Sequence, residues 1–199
     1  MRDGSRESFK LNVMGDYNIY NASAAIIASY ETGIDIDIIR KSLFSYKPLH
    51  RRLEKVGFYK DAQVLTDYGH HPVEIQSTLS TLAKYKKNKL VCVFEPHTFS
   101  RTKSLLNEFS ESFFEADQVI VTDIYPAREK LDPTIHSKDL VKLLKEKGVQ
   151  AEYIPTLKEE FKPDFQAVKD YLDNILEKDD TCLTTGAGFS DKLADYIVN

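Results

Sequence analysis

Only two cysteines occur in this chain of 199 residues, too few for a disulfide framework or a thiolate zinc site. Cys92 and Cys182 each lie in an apolar run that reads as a buried strand, so both are expected to be packing residues. No apolar run approaches the roughly 20 residues of a membrane span. The polar start, M-R-D-G-S-R-E-S, lacks the apolar stretch of a secretory signal. The expectation is a cytoplasmic protein without a membrane partner. Excess charge is missing too: 27 Lys and Arg stand against 31 Asp and Glu, a net of -4, with the signs interleaved. Without a basic stripe to follow a phosphate backbone, nucleic acid is not an expected partner. No G-x-x-x-x-G-K-[ST] loop occurs, so the chain does not cradle a nucleoside triphosphate by itself in the P-loop manner. The T-T-G-A-G-F stretch at 184–189 pairs a strand with a glycine turn but lacks the third glycine and the acidic ribose ligand of a dinucleotide site. Internal repeats and low-complexity tracts are absent.

What remains is 42% apolar and 29% charged residues, enough for one large domain or a compact domain with an attached piece. The first 46 residues read as a helical head. An Ala-rich helix spans 17–30, and a second, over 35–44, carries Ile36, Ile39, Leu43 and Phe44 on one side. The segment S-Y-K-P-L-H-R-R at 45–52 suits a hinge, and a second unit is expected over 47–199. There, apolar runs at 62–66, 89–94, 118–123, 149–154 and 180–185 alternate with amphipathic stretches near 73–86, 101–115, 137–147, 164–177 and 189–198. That rhythm predicts an α/β fold: a Rossmann-like, mostly parallel sheet with helices on both faces. Residues 52–60 would add an antiparallel edge strand.

The polar residues concentrate where strands end. T-D-Y-G-H-H-P-V-E-I, from Thr66 to Ile75, delivers an acid, a tyrosine and two histidines to the end of a strand, and Pro72 then opens a helix. Open parallel sheets bind ligands at this end of their strands. Asp67 is either a reacting or binding group or the cap of a turn. His70 and His71 would point to opposite faces and make a poor chelate, so no metal site is expected. One of them would donate to a phosphate or carboxylate, or serve as a packing residue. In E-P-H-T-F-S-R-T, Ser100 is the expected helix cap, with Arg101 in the first turn. A cation is disfavoured there by roughly 0.3 to 1 kcal/mol, which suggests an anionic ligand. D-I-Y-P-A-R-E supplies another acid and arginine, with ordinary surface ion pairing of Arg128 and Glu129 as the alternative.

Taken in order, G-D-Y-N-I-Y-N-A-S-A-A, H-R-R-L-E, T-D-Y-G-H-H-P-V-E-I, V-F-E-P-H-T-F-S-R-T, D-I-Y-P-A-R-E and T-G-A-G resemble the C-terminal part of the Mur ligases, above all those joining L-alanine to UDP-N-acetylmuramate. The match runs from Gly15 to the C-terminus. It is most specific in D-Y-G-H-H-P and F-x-P-H-x-F-S-R-T and least so in T-G-A-G. The resemblance implies that residues 1–46 are the end of a central ATPase domain and 47–199 the third domain. The P-loop and the Mg-binding groups of the family belong to a part not represented in this sequence.

By position, the resemblance places Asn18 and Asn21 beside the adenine of ATP and Arg52 at the nucleotide side of the cleft. It implies that Asp67 faces the same cleft and that His71 and Arg101 meet a substrate carboxylate. Its implied substrates are UDP-N-acetylmuramate and L-alanine, its cofactors ATP and Mg. The muramate carboxylate is phosphorylated and then attacked by the alanine amine, under a domain closure that excludes water. Several positions depart from the family: Tyr17 for histidine, Leu53 for phenylalanine, Thr66 for an acid, Thr98 for an arginine and Phe189 for an acid or asparagine. The T-G-A-G loop is therefore given no catalytic role. Two alternatives stand beside this reading: a related ligase that recycles murein peptides, and a freestanding binding domain without catalysis.

Overall fold

The computed structural model describes residues 6–158 and 161–199; the first five residues of the polar start lie outside the described residues. The chain forms two compact units, residues 1–49 and 50–199.

In the first unit, α1 spans Asp16–Glu31 and α2 spans Ile36–Ser45. The Asp35 carboxylate accepts from the Asp37 N–H at 2.8 Å and starts α2. Gly33, at φ 86°, lets the chain turn out of α1. Helix α1 is apolar on more than one side, yet it buries only Ala22 fully, and Ile19, Tyr20 and Ile27 are 58%, 77% and 63% exposed. In α2, Ile39 is buried while Ile38 and Phe44 are exposed.

The second unit is a six-stranded sheet in the order β1-β2-β6-β3-β4-β5. Its strands are β1 (Glu54–Tyr59), β2 (Ala62–Asp67), β3 (Leu90–Phe94), β4 (Gln118–Val121), β5 (Ala151–Tyr153) and β6 (Thr181–Thr185). The expected edge strand is β1, antiparallel to β2, and the other neighbouring pairs are parallel. Lys60 and Asp61, at φ 50° and 61°, form the two-residue turn between β1 and β2, as a type I′ hairpin requires.

Connecting helices are α3 (Pro72–Ala83), α4 (Phe99–Ser104), α5 (Leu106–Ser110), α6 (Ser137–Glu146), α7 (Gln166–Ile175) and α8 (Ser190–Val198). The inner strands β2, β6 and β3 are buried on both faces, which is why they read as unbroken apolar runs. One face packs Val64, Val91, Val93, Ile120 and Cys182 against Val168 and Leu172 of α7 and Leu193, Ala194 and Ile197 of α8. On the other, Phe94 meets Phe109 of α5 and Phe113, at ring-centroid distances of 5.4 and 5.3 Å. Cys92 and Cys182 are buried and unbonded, as their apolar surroundings require.

The helix expected over 101–115 starts earlier and breaks. Thr98, at φ 68°, accepts from the Arg101 N–H and is the cap in place of Ser100, and Leu105 separates α4 from α5. The histidine pair lies beyond the strand: His70 sits in the loop and His71 is the N-cap of α3, with Pro72 at N1. The final strand β6 inserts between β2 and β3, so the loops leaving β2, β6, β3 and β4 converge at one end of the sheet.

Candidate functional site

At the end of β2, Asp67 is only 3% exposed. Its Oδ2 accepts from the Leu53 N–H at 2.9 Å, and its Oδ1 accepts from the Gly69 N–H at 2.8 Å and the Thr78 hydroxyl at 3.4 Å. Burial raises its pKa, opposed by those two amides and by the charge of Arg52. The carboxylate is therefore occupied inside the fold, tying the segment before β1 and the turn after β2 to α3. Glu74 closes the same turn, accepting from the backbone N–H groups of His70 and His71 at 3.0 and 3.1 Å.

From there a line of rings crosses the strand ends. Tyr68 meets His70 edge-on at 5.3 Å, His70 lies 5.7 Å from His97, and His97 stacks on Tyr125 at 5.6 Å. Tyr125 in turn meets Phe189 edge-on at 5.0 Å. The loops after β3 and β4 are also zipped by backbone, the Thr98 N–H donating to the Tyr125 carbonyl at 2.9 Å. Arg101 Nη1 stands 3.2 Å from His97 Nδ1. A guanidinium only donates, so Nδ1 accepts and the proton of a neutral His97 lies on Nε2. Burial, then the charge of Arg101, lowers the His97 pKa and favours its neutral form.

The disfavoured cation in the first turn of α4 has a local counterpart. Glu129 accepts from the Ser100 N–H at 3.0 Å and from the Ser100 hydroxyl, and these bonds hold its carboxyl below the usual range. The acid of D-I-Y-P-A-R-E thus caps the helix that carries Arg101, while Arg128 is exposed. The other acid of that stretch, Asp123, binds the Tyr153 hydroxyl at 2.5 Å and the amides of Thr156 and Leu157, both at 2.8 Å.

Of the two adjacent arginines, Arg51 is the more enclosed. It donates through Nη2 to the Gly186 carbonyl at 2.6 Å and to Ser190 Oγ at 3.0 Å, and lies 4.7 Å from the Tyr68 ring centroid. Arg52 is exposed, with its guanidinium 5.9 Å from the same ring. Glu95, 6% exposed, accepts through Oε1 from the N–H groups of Gly188 and Phe189 at 2.9 and 2.8 Å, and through Oε2 from Phe189 at 3.0 Å. Gly188 is required there: a Cβ would stand 2.5 Å from Glu95 Oε1 and from the Tyr125 ring.

The structure gathers Arg101, His97, His70, Tyr68, Tyr125 and Arg51 at one end of the sheet and leaves His71 and Arg52 exposed beside them. His97, Tyr125, Glu95 and Arg51 were not singled out from sequence. Their signal lay in the motifs V-F-E-P-H, D-I-Y-P and H-R-R, each directly after or before a strand.

In the first unit, Asn18 and Asn21 line a cavity of about 250 Å³ together with Leu11, Val13, Ala22, Ala25, Leu43 and Tyr46. Asn18 Nδ2 donates to the Met14 carbonyl at 2.6 Å and Asn21 Nδ2 to Asn18 Oδ1 at 3.4 Å. Among the described residues no group of three or more His, Cys, Asp or Glu side chains is placed to hold a metal ion. No helix among them is long and apolar enough to cross a membrane.

Comparison with known proteins places this arrangement. Residues 51–188 match the family model described as Mur ligase, glutamate ligase domain. The UDP-N-acetylmuramate--L-alanine ligase of Alkaliphilus metalliredigens is 44% identical over 181 residues, 91% of this chain and 37% of that protein. The protein of the same name from Acetivibrio thermocellus is 41% identical over 199 residues, 100% of this chain and 41% of its own length. This chain thus spans about two-fifths of the relatives it matches. The crystal structure of UDP-N-acetylmuramate-alanine ligase from Thermotoga maritima superposes with a TM-score of 0.78 at 24% identity, covering 98% of this chain and 40% of that one. A murein peptide ligase from Psychrobacter arcticus gives 0.66 at 17% identity, covering 96% and 38%. These two likenesses concern the fold. With the family model covering most of its length and relatives above 40% identity along nearly all of it, the chain belongs to the Mur ligase family.

Proposed function

We propose that this chain supplies one wall of the active site of an ADP-forming ligase that joins L-alanine to UDP-N-acetylmuramate in cytoplasmic peptidoglycan synthesis. The observation that carries the reading is the Arg101–His97 pair among the rings at the strand ends. One N–H of the Arg101 fork faces His97, the residue is half-buried, and α4 is already capped by Glu129. A guanidinium braced in this way offers a bidentate grip on a carboxylate or phosphate. The 41–44% identity with proteins named for the alanine reaction favours that substrate pair over a murein peptide.

In this reading residues 1–49 are the end of the central ATP-binding domain, and the apolar sides of α1 and α2 are covered by the rest of it. Asn18 and Asn21 hold the adenine edge, and Arg52 stands at the nucleotide side of the cleft. ATP, with Mg held outside these residues, supplies the phosphoryl group that activates the muramate carboxylate. Arg101 orients a carboxylate, neutral His97 presents an Nε2–H to developing negative charge, and the ring line excludes water. Asp67 shapes the turn that carries Tyr68 and His70, a positioning task, while His71 contacts substrate from the mouth of the cleft.

The test joins residues 1–199 to the P-loop-bearing remainder of the Acetivibrio thermocellus relative, in place of the matching region. ADP formation that requires both UDP-N-acetylmuramate and L-alanine is the expected result, with none from residues 1–199 alone. Turnover with a murein tripeptide in place of L-alanine, or none with either, overturns the assignment.

A further inference from the structure

The T-G-A-G turn shows no reacting group, yet three parts of the cleft meet on it. Its amides at Gly188 and Phe189 converge on the Glu95 carboxylate, its Gly186 carbonyl receives Arg51, and its Phe189 ring packs on Tyr125. The backbone adds a fourth tie, the Glu95 N–H donating to the Thr185 carbonyl at 2.9 Å. Contact is close on every side: a Cβ at Gly186 would lie 2.7 Å from the Glu95 carbonyl oxygen, and one at Gly188 would strike both Glu95 and Tyr125. The turn cannot shift without moving Arg51 on one side and Tyr125, with the His97 it stacks on, on the other.

We propose that Glu95 is a positioning residue of the cleft, whose buried carboxylate clamps the 186–189 turn and thereby sets where Arg51 and the Tyr125–His97 stack stand. The proposal rests on the ligase reading only for its consequence in catalysis; the clamp itself is a property of this chain.

Protonation bears directly on the clamp. As a carboxylate, Glu95 accepts three hydrogen bonds from two amides. Once protonated, one oxygen becomes a donor turned toward the Phe189 N–H, and the contact through Oε2 is lost. Burial raises its pKa to about 7 even though the Phe189 and Gly188 amides and Arg51 favour the charge. The other charged group acting on it is Asp191, on α8, which raises the value further. Arg51 comes from the segment before β1, and Tyr125, from the loop after β4, faces Gly188. A charge kept inside the fold at such a disadvantage is characteristic of a functional site.

The experiment follows the amide resonances of Gly186, Gly188 and Phe189, the Arg51 Nε–H and the Tyr125 ring of the 199-residue chain by NMR from pH 5 to 9. The expected result is one shared transition with a midpoint near 7, retained in His97→Asn and lost in Glu95→Gln. Gln keeps the Oε1 acceptor but does not titrate. No transition at Gly188 and Phe189 overturns the proposal. So does one that persists in Glu95→Gln, or one that leaves Arg51 and Tyr125 unmoved. If Glu95→Gln fails to fold, the Glu95 side-chain carboxyl resonance followed directly in the wild-type chain must share the transition of the amides, and a carboxyl that does not overturns the proposal. In the joined ligase, Glu95→Gln should flatten the acidic limb of the kcat/KM profile; an unchanged limb refutes the coupling to catalysis. A chain that titrates as expected in a ligase that makes no alanine-dependent ADP refutes the function and leaves the clamp standing.

Discussion

The Asp67 carboxylate holds the backbone N–H of Leu53 at 2.9 Å, and Leu53 sits at φ 46°, a conformation unfavourable for a branched side chain. Arg51, two residues earlier, is also at positive φ, 59°. The acid thus stabilises the bent segment that delivers Arg51 to the cleft. Asp67→Asn sets an amide NH₂ against one of two buried N–H donors, and loss of such a bond costs about 1–3 kcal/mol. Denaturant unfolding of the chain should show that loss, together with altered Arg51 resonances. An unchanged midpoint would mean that Leu53 and Gly69 find other acceptors.

The contribution of Glu95 to the pH dependence of stability has a defined sign. The Glu95 pKa is raised from 4.5 when unfolded to about 7 when folded, so between these values the folded chain binds more protons than the unfolded one. Stability then falls as pH rises through that window and levels off above it. Asp67 acts in the same direction, from its unfolded value of 3.8 upward. Thermal unfolding from pH 4.5 to 8 should show the decline, and Glu95→Gln should make it shallower. His97, whose lowered pKa acts in the opposite direction below 6.5, is unchanged in that variant, so a slope that Glu95→Gln leaves as steep would contradict the raised Glu95 pKa.

Much of this was legible in the sequence because strands buried on both faces leave continuous apolar runs, and the helices between them keep their periodicity. The antiparallel edge strand and Pro72 at the start of α3 follow from such local rules. The cap of α4 did not, because Thr98 adopts φ 68° in answer to the Tyr125 carbonyl, a contact from another loop. Glu129 was open between surface pairing and function for the same reason: its partner, Ser100, is 29 residues away. Glu95 and the glycine turn are 93 residues apart, and neither alone signals a buried carboxylate. Periodicity reports which face of an element is covered. It does not report which loops meet at the strand ends.

Gly188→Ala tests the packing of the turn. The added methyl would stand 2.5 Å from both Glu95 Oε1 and Tyr125 Cγ, and neither neighbour can retreat, one being bound to two amides and the other stacked on His97. Overpacking of this kind costs about 1–3 kcal/mol. The expected result is a lower unfolding midpoint with displaced Tyr125 and His97 ring resonances. Wild-type stability with unmoved rings would show that the turn is looser than its contacts indicate.

The two half-exposed and exposed arginines should separate by substrate. Arg101 is braced by His97 at 3.2 Å on a helix that Glu129 caps, so its guanidinium plane is fixed, and Lys would keep the charge but lose the fork. In the joined ligase, Arg101→Lys should raise KM for UDP-N-acetylmuramate or L-alanine about 10-fold or more, the order of one charge-assisted hydrogen bond, and leave KM for ATP nearly unchanged. Arg52 is exposed, its guanidinium 5.9 Å from the Tyr68 ring, and Arg52→Lys should act on KM for ATP instead. Steady-state kinetics with each substrate varied in turn distinguishes the two. Equal effects of both variants on all three KM values would show that neither arginine has its own ligand and that the substitutions act through a common defect in closing the cleft.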